Sequence, residues 1–146
     1  MKETGTIFFI SLVFMANLQN IESKRYTFED IKVALEPLKK HCIDRVGKDQ
    51  KVIDDANNFK IVPDWKTQCY YKCIMLNTKM MKNDKIVEKA LINIAEHMLL
   101  EEYLPVVVKT IEQCHSTATK SMEGCALAYE YYKCLYDVNP TIAMYA

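Results

Sequence analysis

The chain has 146 residues, half of them apolar and 26% charged, which is the composition of one globular domain rather than a disordered or repetitive chain. Lys plus Arg and Asp plus Glu each total 19, so there is no basic excess of the kind a nucleic-acid binder carries. Three Gly exclude a Gly-rich phosphate loop, and three scattered His leave little room for metal or triad chemistry.

The chain opens with Lys2, an apolar run from Ile7 to Met15, and polar residues from Asn17. This is the layout of a secretory signal peptide, and the run is far short of the roughly 20 apolar residues that span a bilayer. Residues 1–23 are therefore expected to be removed, with the cut after Ser23 and Ala16 as the second choice. Their loss leaves only Phe28 and Phe59 of the five Phe, so any internal cavity must be lined mainly by aliphatic residues, Met and Tyr. The Asn139-Pro140-Thr141 triplet carries the Pro that forbids glycosylation.

Helical periodicity dominates the rest, and no alternating run is long enough to predict a strand. Thr27-x-x-Asp30 predicts a helix start, followed by a stripe of Phe28, Ile31, Leu35, Leu38 and Cys42. Pro37 is expected to kink or split that helix, and Gly47 to end it. A short helix is predicted over 49–57 and another over 65–77, restarted by Pro63-Asp64. Residues 78–85 read as a loop holding Met80 and Met81. Val87, Leu91, Ile94 and Met98 form the next stripe. Pro105 suits the first turn of a helix carrying Leu104, Val107, Ile111 and Cys114, with His115 to Lys120 as a polar loop. Ser121 is the expected start of a last helix, apolar on two sides and so interior, which Asn139-Pro140 closes. The fold class expected is all-α: about six helices in a single domain over 24–146.

The six Cys stand at 42, 69, 73, 114, 125 and 134, with gaps of 26, 3, 40, 10 and 8 residues. An even count behind a signal peptide favours disulfides over metal. Zinc would need closely spaced Cys or His ligands, and His41-Cys42 and Cys114-His115 are adjacent residues that diverge on a helix. Six Cys allow 15 pairings, and excluding the intrahelical pairs 69–73 and 125–134 leaves ten. Spacing alone decides no further, beyond stapling the last helix to two neighbours.

With Cys69-Tyr-Tyr-Lys-Cys73, the eight-residue gap from Cys125 to Cys134, and the closing stretch Ala128 to Cys134 followed by Asn139-Pro140, the chain resembles the six-cysteine insect odorant-binding proteins, the pheromone and general odorant-binding family. The resemblance spans the whole of 24–146. It implies the pairing Cys42–Cys73, Cys69–Cys125 and Cys114–Cys134, and six helices around an apolar cavity for a small hydrophobic ligand. The cavity residues expected are Tyr71, Met75 and Leu76, Ile94 and Met98, Val108 and Ile111, Tyr131 and Leu135, with Tyr145 closing the pocket from the tail. Met75, Met80 and Met98 would give adaptable walls, and the Tyr hydroxyls would meet a ligand oxygen. Acid release through His97 would weaken binding at pH 5 relative to pH 7, although only 12 residues follow Cys134.

Enzymatic chemistry finds no support in the residues. A secreted phospholipase A2 needs a Cys-Cys-x-x-His run, and an α/β-hydrolase needs G-x-S-x-G; the sequence has neither. Asp54-Asp55 and Glu101-Glu102 are sequence neighbours that splay apart on a helix. The expected role is a secreted, extracellular carrier without catalytic residues, metal or cofactor. Its partners would be a small hydrophobic volatile ligand and a membrane odorant receptor, not nucleic acid and not a stably entered membrane, and it would act as a monomer or weak homodimer. Two alternatives stay open: a lipid scavenger or carrier in saliva, haemolymph or reproductive fluid, and a secreted interaction protein with a filled core.

Overall fold

A computed structural model describes residues 24–59 and 62–143. The expected signal peptide at 1–23 and Tyr145 lie outside the described residues. Six helices account for most of the described residues, and all but the fourth are begun or ended by a local device that the sequence encodes.

Helix α1 (Phe28–Val46) starts at a reciprocal cap: the Thr27 hydroxyl accepts the Asp30 amide at 3.1 Å, and the Asp30 carboxylate accepts the Thr27 amide at 2.9 Å. These bonds to Thr27 hold the Asp30 carboxyl below its ordinary pKa. The helix runs unbroken through Pro37, so of the expected kink or split the split does not occur. Pro37 removes the hydrogen bond to the Val33 carbonyl, and Val33 and Pro37 are both exposed, so the lost bond falls on the solvent side, where water can replace it. Gly47 ends the helix in the left-handed region at φ +66°, where a side chain would be strained.

Asp49 caps α2 (Gln50–Asn57) and Asp64 caps α3 (Trp65–Asn77). Residues 78–86 are not simply a loop. Two short strands, β1 (Met81–Lys82) and β2 (Lys85–Ile86), pair antiparallel, with Met81 opposite Ile86. Asn83 and Asp84 both have positive φ, as a two-residue hairpin turn requires, and Met80 and Met81 are buried.

Helix α4 (Glu88–Met98) leads through a 3-10 turn (Glu101–Tyr103) into α5 (Leu104–Ala118). The expected loop from His115 begins only after Ala118. His115 and Ser116 are exposed polar residues on a helix that contains no breaker, and polarity marks its outer face rather than its end. The last helix, α6 (Gly124–Val138), is capped not by Ser121 but by Glu123, whose carboxylate accepts the amides of Cys125 and Ala126. Asn139 closes it and starts a final 3-10 turn (Pro140–Ile142). With eight of its residues buried, α6 is the central helix.

The bonds Cys42–Cys73, Cys69–Cys125 and Cys114–Cys134 join α1 to α3, α3 to α6 and α5 to α6. Thus α6 is stapled to two neighbours, on opposite sides. The segment before α1 is tied to the end of α4: the Tyr26 amide donates to the Met98 carbonyl at 2.7 Å, and the Leu100 amide to the Tyr26 carbonyl at 3.1 Å.

Candidate functional site

The interior divides into two unlike halves. Around α3 and the inner face of α6 the space is filled by rings. Tyr71 lies 5.2, 5.5 and 5.1 Å from Tyr70, Tyr129 and Tyr132, centroid to centroid, and Phe59 packs at 4.8 Å from Tyr136. The Tyr71 hydroxyl donates to Asn57 at 2.8 Å, which satisfies the one polar atom of a side chain deep in this cluster. Burial pushes its hydroxyl well above the ordinary tyrosine range.

The other half, between α1, α4, α5 and α6, encloses a small apolar cavity of about 40 Å³. Phe28 and Ile31 of α1 form one wall, and Leu91, Ile94 and Ala95 of α4 with Leu99 form the opposite one. Val107 and Ile111 of α5, Leu135 of α6, Met80 and Ile142 of the last turn complete it. Every lining side chain is a hydrocarbon or a thioether. Such walls offer dispersion and dehydration, with no side-chain hydrogen bond.

Of the expected cavity residues, the structure brings Ile94, Ile111 and Leu135 together here. Tyr145 lies outside the described residues, and the other six are placed elsewhere. Tyr71 and Met75 are buried on α3, which contributes nothing to this lining. Leu76, also on α3, is 39% exposed and borders outer grooves. Met98 is equally exposed, and Leu99 takes the inward place. Val108 stands one position off the inward stripe that Val107 and Ile111 follow. Tyr131 is fully buried, yet its hydroxyl donates to Glu88 at 3.4 Å, and burial with the nearby Glu88 charge raises its pKa. The other Glu88 oxygen meets His115 Nδ1 at 2.7 Å. The tyrosine hydroxyls Tyr71 and Tyr131 are thus occupied by protein partners and do not line the cavity. His97 is exposed with Nδ1 2.7 Å from the Asn93 carbonyl, also away from the cavity.

Phe28 has a second role in the geometry. Besides lining the cavity it borders an outer groove with Thr27, Lys32, Tyr103, Val106 and Thr141, and its ring stacks on Tyr103 at 4.6 Å. One aromatic ring therefore separates the cavity from solvent at this point.

Residues 25–138 match the PBP/GOBP family. This chain belongs to that family. The fold is similar to that of Apis mellifera odorant binding protein 5, with a TM-score of 0.70 and 19% identity, over 81% of this chain and 96% of that one. It is likewise similar to odorant binding protein 4 of Chrysopa pallens, with a TM-score of 0.68 and 27% identity, over 80% of this chain and 96% of that one. A Locusta migratoria odorant binding protein matches with a TM-score of 0.62 and 19% identity, over 79% and 86%.

Within this PBP/GOBP chain, sequence reading did not single out Phe28, Ile31, Leu91, Ala95, Leu99, Val107 or Ile142 as cavity residues. Most were visible as members of helical stripes. Which stripes would face a void and which a packed neighbour depends on the ring cluster, and that is a tertiary property. Among the described residues no cluster of metal-ligating side chains forms, and no helix is long and apolar enough to cross a membrane.

Proposed function

We propose that this protein is a secreted, non-enzymatic carrier that takes up small hydrophobic odorants or pheromones and moves them through aqueous fluid to sensory receptors. The observation that carries this reading is the enclosed cavity walled only by apolar side chains. Family membership and the solved odorant binding proteins of similar fold support it.

The chemistry is transfer from water to hydrocarbon. Burying about 300 Å² of ligand at ~25 cal/mol/Å² gives ~7–8 kcal/mol, from which association and ordering costs of several kcal/mol are subtracted. The cavity must also grow, since ligand pockets measure roughly 300–1,000 Å³ and this one holds about 40 Å³. Met80, with flexible torsions, and the short Ile142 turn are the walls best able to yield. Micromolar affinity with loose selectivity follows, and ligand passes the Phe28 ring on its way in.

The small volume also favours a second reading, a secreted interaction protein whose core is filled. Displacement of a fluorescent hydrophobic probe from the oxidised, secreted protein by volatile alcohols, aldehydes and esters separates the two. Saturable micromolar uptake with competition supports the carrier. No uptake by protein with three intact disulfides overturns it. A tissue expression profile then separates odorant transport from lipid scavenging in saliva, haemolymph or reproductive fluid.

A further inference from the structure

A second concavity lies on the opposite face of α3 from the ring cluster. Trp65, Cys69, Lys72 and Leu76 recur at 4-3-4 spacing and form one outward stripe, faced by Val46 at the end of α1 and by the start of α6. The groove between them has a volume of about 500 Å³, in the range of ligand sites and far larger than the inner cavity. Trp65 is 60% exposed, yet it is held in place: its indole N–H donates to Glu123 at 3.1 Å.

The charges around this apolar floor do not cancel. Lys72 is paired with Asp84 at 2.7 Å. The Glu123 carboxylate is taken up by the Trp65 indole and by the first amides of α6, where the helix dipole favours negative charge. Among the described residues Arg45 and Lys66 have no ion pair, and Arg45, Lys66 and Lys72 set against Glu123 and Asp84 leave the rim one net positive charge, with Arg45 and Lys66 free to meet an anion. Apolar floor and cationic rim together match a hydrocarbon chain with a negative head, and an Arg fork suits a carboxylate in particular.

We propose that this outer groove is a second ligand site, for a single-chain amphipathic anion such as a medium-chain carboxylate. The site is independent of the inner cavity.

Trp65 is the only Trp in the chain and reports on the groove directly. The secreted protein is titrated with sodium dodecanoate below its micelle concentration, reading Trp65 emission. The expected result is a saturable change whose dissociation constant rises about two- to fivefold in Arg45→Gln and in Lys66→Gln, as for exposed ion pairs. It should also weaken at about 0.5 M NaCl. Uncharged 1-dodecanol, which keeps the chain and loses the head charge, should need roughly four- to twentyfold higher concentration for the same change in emission. No response to dodecanoate, an equal affinity for 1-dodecanol, or affinity unaltered in both variants would each overturn the proposal. Arg45 and Lys66 are exposed, so both variants should fold, which circular dichroism checks. Failure of the carrier reading shows separately, as 1-dodecanol failing to displace a hydrophobic probe, and leaves the charge-variant and salt comparisons standing.

Discussion

If Phe28 closes the cavity, cutting its ring away should speed exchange much more than it weakens binding. The ring is half-buried, lines the cavity and stacks on Tyr103 at 4.6 Å. Half the transfer energy of a Phe side chain is about 1–1.5 kcal/mol. The aromatic pair adds about 0.5–1.5 kcal/mol. Phe28→Ala should therefore lower stability by about 2 kcal/mol, read from urea unfolding. If ligand must displace the same contacts to pass, the barrier falls by up to that amount, which is up to about thirtyfold in rate. Stopped-flow exchange of a bound hydrophobic probe measures it, and uptake and release should accelerate together, leaving the equilibrium constant changed by less than either rate. Phe28→Leu, which keeps bulk but not the stack, should fall between. A release rate within twofold of wild type, with stability lowered as calculated, would show that ligand passes elsewhere and that the ring is packing alone.

Three further perturbations test other parts of the same picture. Leu135→Ala, which enlarges the cavity from α6, should cost about 2–5 kcal/mol in urea unfolding and shift probe competition toward bulkier ligands; unchanged selectivity would remove Leu135 from the ligand's surroundings. Replacing a cystine by two Ser should destabilise in order of loop length, by about 4 kcal/mol for Cys69–Cys125 with separation 56 and about 3 kcal/mol for Cys114–Cys134 with separation 20, and the reverse order in urea would contradict the entropic account. Asp64 is surface-exposed, and bonds from Lys48 and then the Thr67 amide lower its pKa from 3.8 to about 2. A lowered carboxyl pKa stabilises above 3.8 and loses that contribution as pH falls through about 2. Asp64→Ala should accordingly cost about 1 kcal/mol at pH 7, the value of a helix cap, with the gap between variant and wild type closing near pH 2.

How far the sequence speaks for the structure depends on the range of the forces involved. Thr27 and Asp30, Asp64, Gly47 and the six-cysteine spacing act locally or as a framework, and the helices they predict are those observed. The hairpin at 81–86 escaped because two-residue strands are too short to show alternation, although Asn83-Asp84 is a turn signal in its own right. The start of α6 was misplaced because Ser121 is a good cap by composition, whereas Glu123 also satisfies the Trp65 indole, 58 residues away. The cavity was legible only as a set of apolar stripes. The expected lining residues beside Cys73 do not reach it because the tyrosines there prefer one another: six rings and the Asn57 amide fill that half and satisfy the Tyr71 hydroxyl.

The placement of the crosslinks explains why the void lies where it does. Two of the three bonds, Cys42–Cys73 and Cys69–Cys125, converge on α3 and bind it to α1 and α6 around the ring cluster. The third fixes α5 to α6. Helix α4 carries no cysteine, has only Ala95 buried, and yet supplies the cavity wall through Leu91, Ile94 and Ala95. Its end is held by hydrogen bonds from Tyr26, and by the Arg25 guanidinium, which donates to the Glu96 and Leu99 carbonyls at 3.0 Å each. Such bonds contribute about 1 kcal/mol each and can open one at a time, whereas a cystine holds its two helices together until a covalent bond is broken. A cavity that must swell to admit a ligand is thus bounded on one side by helices that crosslinks keep in register, and on the other by the one long wall that no crosslink restrains. On the proposed carrier reading, the rigid half preserves the fold, and the α4 side, with Met80 and the Ile142 turn, is the part free to accommodate a guest.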